Sequence, residues 1–231
     1  MSELFSIQLQ NRQQQGRDGV WLDLPTTTEQ VQAALRQIGI SSDNPQGLFI
    51  SGYFAEEEKR FAIPYNMVLA SNVDELNFLA SRLETLSTGE RAELNAALQA
   101  PQSELFSIGR ITDFPENVDY YVHLPDVRGP AQLGDYYLNR SGMVDMPEEW
   151  KGGIDTAQFG RYVAQQEQGA FTQYGYLVKS GDEWQKVYEG QPMPEEYRVL
   201  SLPAPEVLRD SANIPPPVQP ETEPQKVIPI I

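Results

Sequence analysis

Carboxylates dominate the reactive chemistry of this 231-residue sequence. The chain carries 33 Asp and Glu against 17 Lys and Arg, which gives a formal net charge of −16. Such a surplus repels phosphates and anionic membranes at long range and attracts basic partners. We therefore expect no direct nucleic-acid or membrane binding, and pairing with Lys and Arg instead. The candidate carboxylates are Glu56, Glu57, Glu58, Asp74, Glu75, Glu84, Asp113, Glu116, Asp119, Asp126, Asp135, Asp145, Glu148 and Glu149.

Other site chemistry has little support in the composition. Without cysteine the chain forms neither a disulfide framework nor a thiolate zinc site, and any Ser-His-Asp triad would have to use His123, the single histidine. No G-x-S-x-G segment is present to hold the serine, and His123 lies in an alternating strand pattern, which indicates a structural role. Paired carboxylates could hydrolyse a glycosidic bond, but no spacing singles out such a pair. We predict no enzyme, no catalytic residue, no metal site and no cofactor.

For any single carboxylate, the structural explanation is favoured over the functional one. Acidic side chains are common on solvated faces and in the first turn of helices, where the macrodipole favours them. The surplus is nevertheless spread along the chain: residues 1–100 hold 13 acidic and 7 basic groups, and residues 101–190 hold 14 and 7. The collective prediction is therefore stronger than the prediction for any one residue.

Residues 1–61 predict a small sheet with one helix. Strand patterns occur at 2–9, 20–24 and 48–54. Between the second and third strands, Thr26 and Glu29 have the spacing of a capping box, and Gly39 ends the apolar helical pattern. We expect Trp21, in the second strand, to lie in the core.

Residues 62–101 predict a helical middle domain. Leucines at helical spacing occur between 72 and 86, and Ser87 with Glu90 forms a second capping-box pattern. Pro101 follows the last apolar residue of the second helix and ends it.

Residues 102–190 predict a sheet with helices, and residues 191–231 a proline-rich disordered tail. A helix is expected at 132–141, and a second helix begins at Asp155 and ends at Gly169 in the left-handed conformation. Aromatic, β-prone sequence follows at 171–178. The tail has many prolines and little apolar periodicity.

The hexapeptide SELFSI occurs twice, at 2–7 and at 103–108. Each copy precedes an aromatic strand that ends in Leu-Pro, and each of these strands precedes a helix. A match of six residues in so short a chain predicts that the two ends contain related sheets.

The motifs from Leu133 to Val178 carry a family resemblance. In order they are LG-x-YY-x4-G, an acidic link through MPEE, a capped helix containing FGR, and G-x-FT-x-YGY. Together with G-x-WLDLP near the N-terminus, this order resembles the ArdA-type antirestriction proteins, over roughly residues 1 to 180. The charge density is lower than that of the most acidic family members.

The resemblance implies an acidic DNA mimic that occupies the DNA-binding groove of a type I restriction-modification enzyme and protects incoming mobile DNA. It also implies a homodimer formed through the third domain, with Leu133, Tyr136 and Tyr137 as interface candidates. The expected fold is α+β: an elongated chain of three small domains with a disordered C-terminal tail. The alternative is an acidic adaptor that sequesters another basic or DNA-binding protein. With no signal peptide and no transmembrane-length apolar run, we expect a cytoplasmic protein in a bacterial host.

Overall fold

The computed structural model describes residues 3–14, 18–41, 44–57, 60–101 and 103–200, and their fold is α+β as predicted. The strands are β1 (Phe5–Asn11), β2 (Val20–Leu24), β3 (Leu48–Phe54), β4 (Tyr121–Leu124), β5 (Ala170–Thr172) and β6 (Gly175–Lys179). The α-helices of this part are α1 (Thr28–Gln37), α2 (Tyr65–Leu69), α3 (Val73–Leu83), α4 (Thr88–Gln99), α5 (Ile108–Thr112), α6 (Pro130–Asn139), α7 (Glu148–Lys151) and α8 (Thr156–Glu167).

The N-terminal sheet is antiparallel, with strand order β2-β1-β3. Phe5, Ile7 and Leu9 alternate along β1 and are buried together against α1 and the helices that follow, because alternate residues of a strand share one face. The capping box of α1 lies one residue later than predicted. Thr27 accepts from the Gln30 backbone amide, and the Gln30 side chain accepts from the Thr27 amide.

The middle helices begin at the residues that the sequence indicates. Ser87 caps α4 and exchanges hydrogen bonds with Glu90, as predicted, and Asn72 caps α3 in the same way with Glu75. The hydroxyl of Ser87 lowers the pKa of Glu90, since a hydrogen bond to a carboxylate favours its charged form.

The C-terminal sheet is also antiparallel, with order β4-β6-β5, and α6 and α8 cross closely beside it. The crossing requires two glycines. A Cβ on Gly134 would overlap the Thr156 carbonyl, and a Cβ on Gly160 would overlap the Pro130 carbonyl. The glycines of the LG-x-YY and FGR motifs therefore allow the two helix backbones to touch.

The end of α8 differs from the prediction. Gln168, not Gly169, adopts the left-handed conformation, with a φ of 55°. Gly169 is needed for another reason, because a Cβ there would overlap the Tyr176 ring.

The second SELFSI copy is not a strand, which corrects the prediction of related sheets. Ser107 caps α5 by accepting from the Arg110 amide, and Ile108 is the first helical residue. The Leu-Pro strands after both copies do form, as β2 and β4, and helices follow both.

The packed part of the chain extends to Leu200, beyond the predicted tail boundary at 190. Tyr197 packs on the Phe78 ring with centroids 4.6 Å apart, and Val199 and Leu200 are buried. Little periodicity was visible here because these residues pack singly onto α3. The rest of the predicted tail, 201–231, lies outside the described residues.

Buried side chains from Leu4 to Tyr121, together with Leu177, Val199 and Leu200, form one large cluster. A smaller cluster consists of Val127, Leu133 of α6, Ala164 of α8 and Tyr176. The predicted boundaries at 61 and 101 lie within the range of the large cluster. The division into three elongated small domains stays a prediction.

Candidate functional site

Five candidate carboxylates are fully available to a partner. Glu57, Asp126, Asp145 and Glu149 are exposed, and none of them forms an ion pair with a described residue; exposed Asp119, in the turn before β4, is a fifth of this kind. They lie at turns and at the start of the short helix α7, where the backbone leaves the core and a charged side chain stays hydrated. Glu58 lies outside the described residues.

Other candidates are exposed or half-buried and already have a local partner. Those in ion pairs are Glu116 with Arg82, Asp135 with Arg140 at 3.1 Å, and Glu148 with Lys151 at 2.6 Å. Such surface pairs contribute at most about 1 kcal/mol, so a competing cation can displace them. Glu75 completes the capping box of α3 with Asn72, and Glu56 and Glu84 make further contacts.

Asp113 is an interior residue, which corrects the sequence-based prediction for it. Its side chain is 0% exposed and accepts the backbone amides of Tyr188 at 2.7 Å and Glu189 at 3.2 Å. Buried carboxylates require such donors. This one holds residues 180–200, which we call the C-terminal segment, against α5. No sequence pattern marks it, because the donors lie 75 residues further along the chain.

Asp74 also binds backbone amides of the C-terminal segment. One of its carboxylate oxygens accepts the amides of Val199 at 2.7 Å and Leu200 at 2.9 Å. Its side chain is half-buried, so its charge already serves the fold.

Two of the candidates are brought together by the structure. Asp126 and Asp135 line the same shallow cavity of about 270 Å³ beside α6, with Arg140 at its edge. The turn after β4 carries the first carboxylate and the second turn of α6 carries the second. Two carboxylates that line one shallow cavity offer acceptors that an Arg or Lys side chain of a partner can bind.

Glu93 on α4 is a titratable group that sequence reasoning missed. Burial, together with the nearby charges of Glu90 and Asp119, raises its pKa to about 8. One of its oxygens is buried without a partner among the described residues. The signal was its position beside the apolar stripe of α4, next to Leu94.

The predicted dimer residues differ in accessibility. Leu133 is fully buried in the smaller cluster, which corrects its assignment as an interface residue. Tyr136 and Tyr137 are half-buried. The Tyr137 hydroxyl donates to the Glu167 carboxylate, which raises the pKa of Tyr137 together with burial, so this side chain also ties α6 to α8.

His123 and Trp21 show one correct and one incorrect expectation. His123 has the predicted structural role: its Nε2 lies 2.9 Å from the Tyr174 carbonyl oxygen, across the hairpin. Trp21 is not in the core, since its side chain is 49% exposed. The alternation of β2 contained this signal, because Leu22 and Leu24 point inward and therefore place Trp21 outward.

A cavity of about 650 Å³ lies between α3, α5 and the C-terminal segment. Its only charged lining side chains are Glu75 and Arg198. Within the described ranges no cluster of three metal-ligating side chains occurs, and no helix has the length and apolarity to cross a membrane.

Comparison with known proteins gives one informative match. A family model described as "Antirestriction protein (ArdA)" matches residues 15–178, which is most of the described chain. No curated protein shows significant similarity to the sequence.

Proposed function

Because the chain belongs to the ArdA family of antirestriction proteins, we propose that it inhibits restriction as an acidic mimic of DNA. Its exposed carboxylates would occupy the DNA-binding groove of a type I restriction-modification enzyme and pair with the Lys and Arg that otherwise meet phosphates. Inhibition would be stoichiometric, without turnover or cofactor, and would protect incoming mobile DNA in the bacterial cytoplasm.

The observation that supports this proposal most is the placement of the negative charge. Glu57 follows the N-terminal sheet, whereas Asp126, Asp145 and Glu149 project from the C-terminal region, and all four are exposed. Duplex DNA carries one charge per ~1.7 Å of its axis, so a mimic needs carboxylates along much of its length. Both sheet-containing regions supply them.

The test is cleavage of unmodified DNA by a purified type I restriction-modification enzyme, titrated with this protein. We expect inhibition to saturate near stoichiometric protein and to weaken at least about tenfold between ~50 and ~200 mM salt, because ionic contacts release counterions. No inhibition of several such enzymes would overturn the proposal and leave the acidic adaptor as the better explanation.

The chain offers a matched pair of variants for this assay. Met-Pro-Glu-Glu precedes an aromatic residue twice, at 146–149 and at 193–196, and both Glu pairs are exposed. The second pair lies on the segment that packs on α3 and is not among the candidates. Glu148→Gln with Glu149→Gln should weaken inhibition about three- to tenfold, whereas Glu195→Gln with Glu196→Gln should change it less. Equal effects would indicate that only net charge matters.

We also propose that the protein acts as a homodimer through residues 102–190. In this region α8 presents Tyr162 largely to solvent, while Tyr136 and Tyr137 are partly accessible. Sedimentation equilibrium should give twice the 26.0 kDa chain mass, and Tyr162→Glu should lower it. A monomer at every concentration would overturn this part of the proposal alone.

A further inference from the structure

The outer face of the N-terminal sheet is open and has an ordered arrangement of side chains. One row across the strands consists of Asp23, Ser6 and Phe54, and the next consists of Trp21, Gln8 and Gly52. We call these six residues together the sheet face. The opposite side of the same strands is buried against α1.

Two aromatic rings of the sheet face are held in place while remaining accessible. Trp21 is 49% exposed and Phe54 is 53% exposed, and their rings meet edge to face with centroids 6.4 Å apart. Gly52 lets the indole lie against the sheet, since a Cβ there would be 3.1 Å from the Trp21 Cη2. The indole is therefore positioned before any partner arrives, which lowers the entropy that binding would cost.

Negative charge converges beside these rings. The Ser6 hydroxyl lies 2.9 Å from the Asp23 carboxylate and 3.4 Å from that of Glu3, so both acidic groups meet at one point. Glu56 and Glu57 follow directly after β3 and are exposed. The three strands contain no Lys or Arg.

We propose that the sheet face docks a cationic protein surface, with the Trp21 indole receiving an Arg or Lys side chain of the partner. A cation over an indole face is attracted by the ring quadrupole, and Arg is the cation found there most often. Asp23 and Glu3 are placed to pair with neighbouring cations. This inference rests on the proposed function, in which the partner is the basic DNA-binding surface of a restriction-modification enzyme.

Charge complementarity selects this occupant. A nucleic acid would be repelled by the net charge of −16, and a second copy would bring the same acidic charge to this face, whereas the proposed homodimer contacts lie in residues 102–190. A basic groove built for phosphates is attracted, and Trp is among the residues that dominate binding energy when an interface covers them. The sheet face thus adds an anchor that DNA phosphates lack.

The experiment compares variants of the full chain in the restriction assay at one fixed salt concentration. Trp21→Ala should weaken inhibition by about tenfold or more, since truncating a central aromatic anchor commonly costs that much. Trp21→Phe keeps a ring and should weaken it only about threefold, whereas Trp21→Lys should abolish it through repulsion. Phe54→Ser is a second variant that reports on the face if Trp21→Ala folds poorly.

Phe106→Ala is the matched control, because Phe106 is an exposed aromatic residue outside the sheet face. Inhibition by this variant should stay within about twofold of that by the unaltered protein. Circular dichroism should show that every variant is folded. Unchanged inhibition by Trp21→Ala and Trp21→Lys would overturn the inference and leave the proposed function standing. No inhibition by the unaltered protein would overturn both. A loss of self-association in Trp21→Ala would assign the face to contact between copies and overturn the inference.

Discussion

The two SELFSI copies have identical sequences and different structures. In the first copy Phe5 is 1% exposed on the central strand of a sheet, and in the second the equivalent Phe106 is 65% exposed before a helix. The neighbouring residues explain the difference. After the first copy, apolar residues continue at every second position to Leu9, whereas Leu105, Ile108 and Ile111 are three apart. The longer periodicity, rather than the hexapeptide, selects strand or helix.

The phenylalanines give the largest predicted contrast. Phe5→Ala should lower the free energy of unfolding by about 3–5 kcal/mol, because it leaves a cavity beside the Tyr53 ring, 5.4 Å away. Phe106→Ala should lower it by no more than about 1 kcal/mol, the value of a cation–π contact with Arg110. Urea unfolding of the two variants measures both. Similar losses would show that the second copy is packed like the first.

Changing the equivalent serines, Ser6 and Ser107, to aspartate should give an intermediate difference in stability. At Ser107 the new carboxylate can still cap α5, so Ser107→Asp should be neutral within about 0.5 kcal/mol. At Ser6 it would be buried beside Asp23 and Glu3, and Ser6→Asp should cost about 2 kcal/mol or more. Thermal unfolding at neutral pH compares them, and a stable Ser6→Asp protein would contradict the packing of the first copy.

The equivalent glutamates, Glu3 and Glu104, should give the smallest difference in stability when each is changed to glutamine. A hydrogen bond from Lys179 lowers the pKa of Glu104, which also pairs with Arg110, whereas Glu3 is exposed. Because the folded-state pKa is depressed, the stabilisation is present above the ordinary value of 4.5 and is lost as pH falls through the folded pKa. Glu104→Gln should therefore cost about 0.5 kcal/mol at pH 7 and less below pH 4, and Glu3→Gln almost nothing.

That pH dependence is measured by unfolding both variants and the unaltered chain between pH 3 and pH 7. A cost of Glu104→Gln that persists unchanged at the acidic end would show that packing of the side chain, not its charge, is responsible.

Local patterns predict the five longest helices, α1, α3, α4, α6 and α8, and most of the strands, because the signals that start them lie within a few residues. The caps at Asn72, Ser87 and Asp155 and the apolar stripes behind them are examples. The strand prediction for the second SELFSI copy is wrong because an identity of six residues carries less structural information than the spacing of the apolar residues around it.

The candidate site was predictable only in part. Composition and turn position predict that carboxylates such as Asp126 and Glu149 are exposed. The hydrogen bonds of Asp74 and Asp113 cannot be predicted in this way, because their backbone amide donors lie far along the chain. The alternation of β2 alone predicts the outward position of Trp21, whereas the hydrophobicity of the side chain predicts burial.

The contacts of the C-terminal segment determine how far the chain can be shortened from its C-terminus and still remain soluble. A chain shortened to 190 residues would lose Tyr197, Val199 and Leu200, so the Phe78 ring would face water and the Asp74 carboxylate would lose both amides. An uncovered aromatic surface of this kind promotes aggregation. A chain ending after Leu200 keeps these contacts, so truncated versions made for crystallisation should end there.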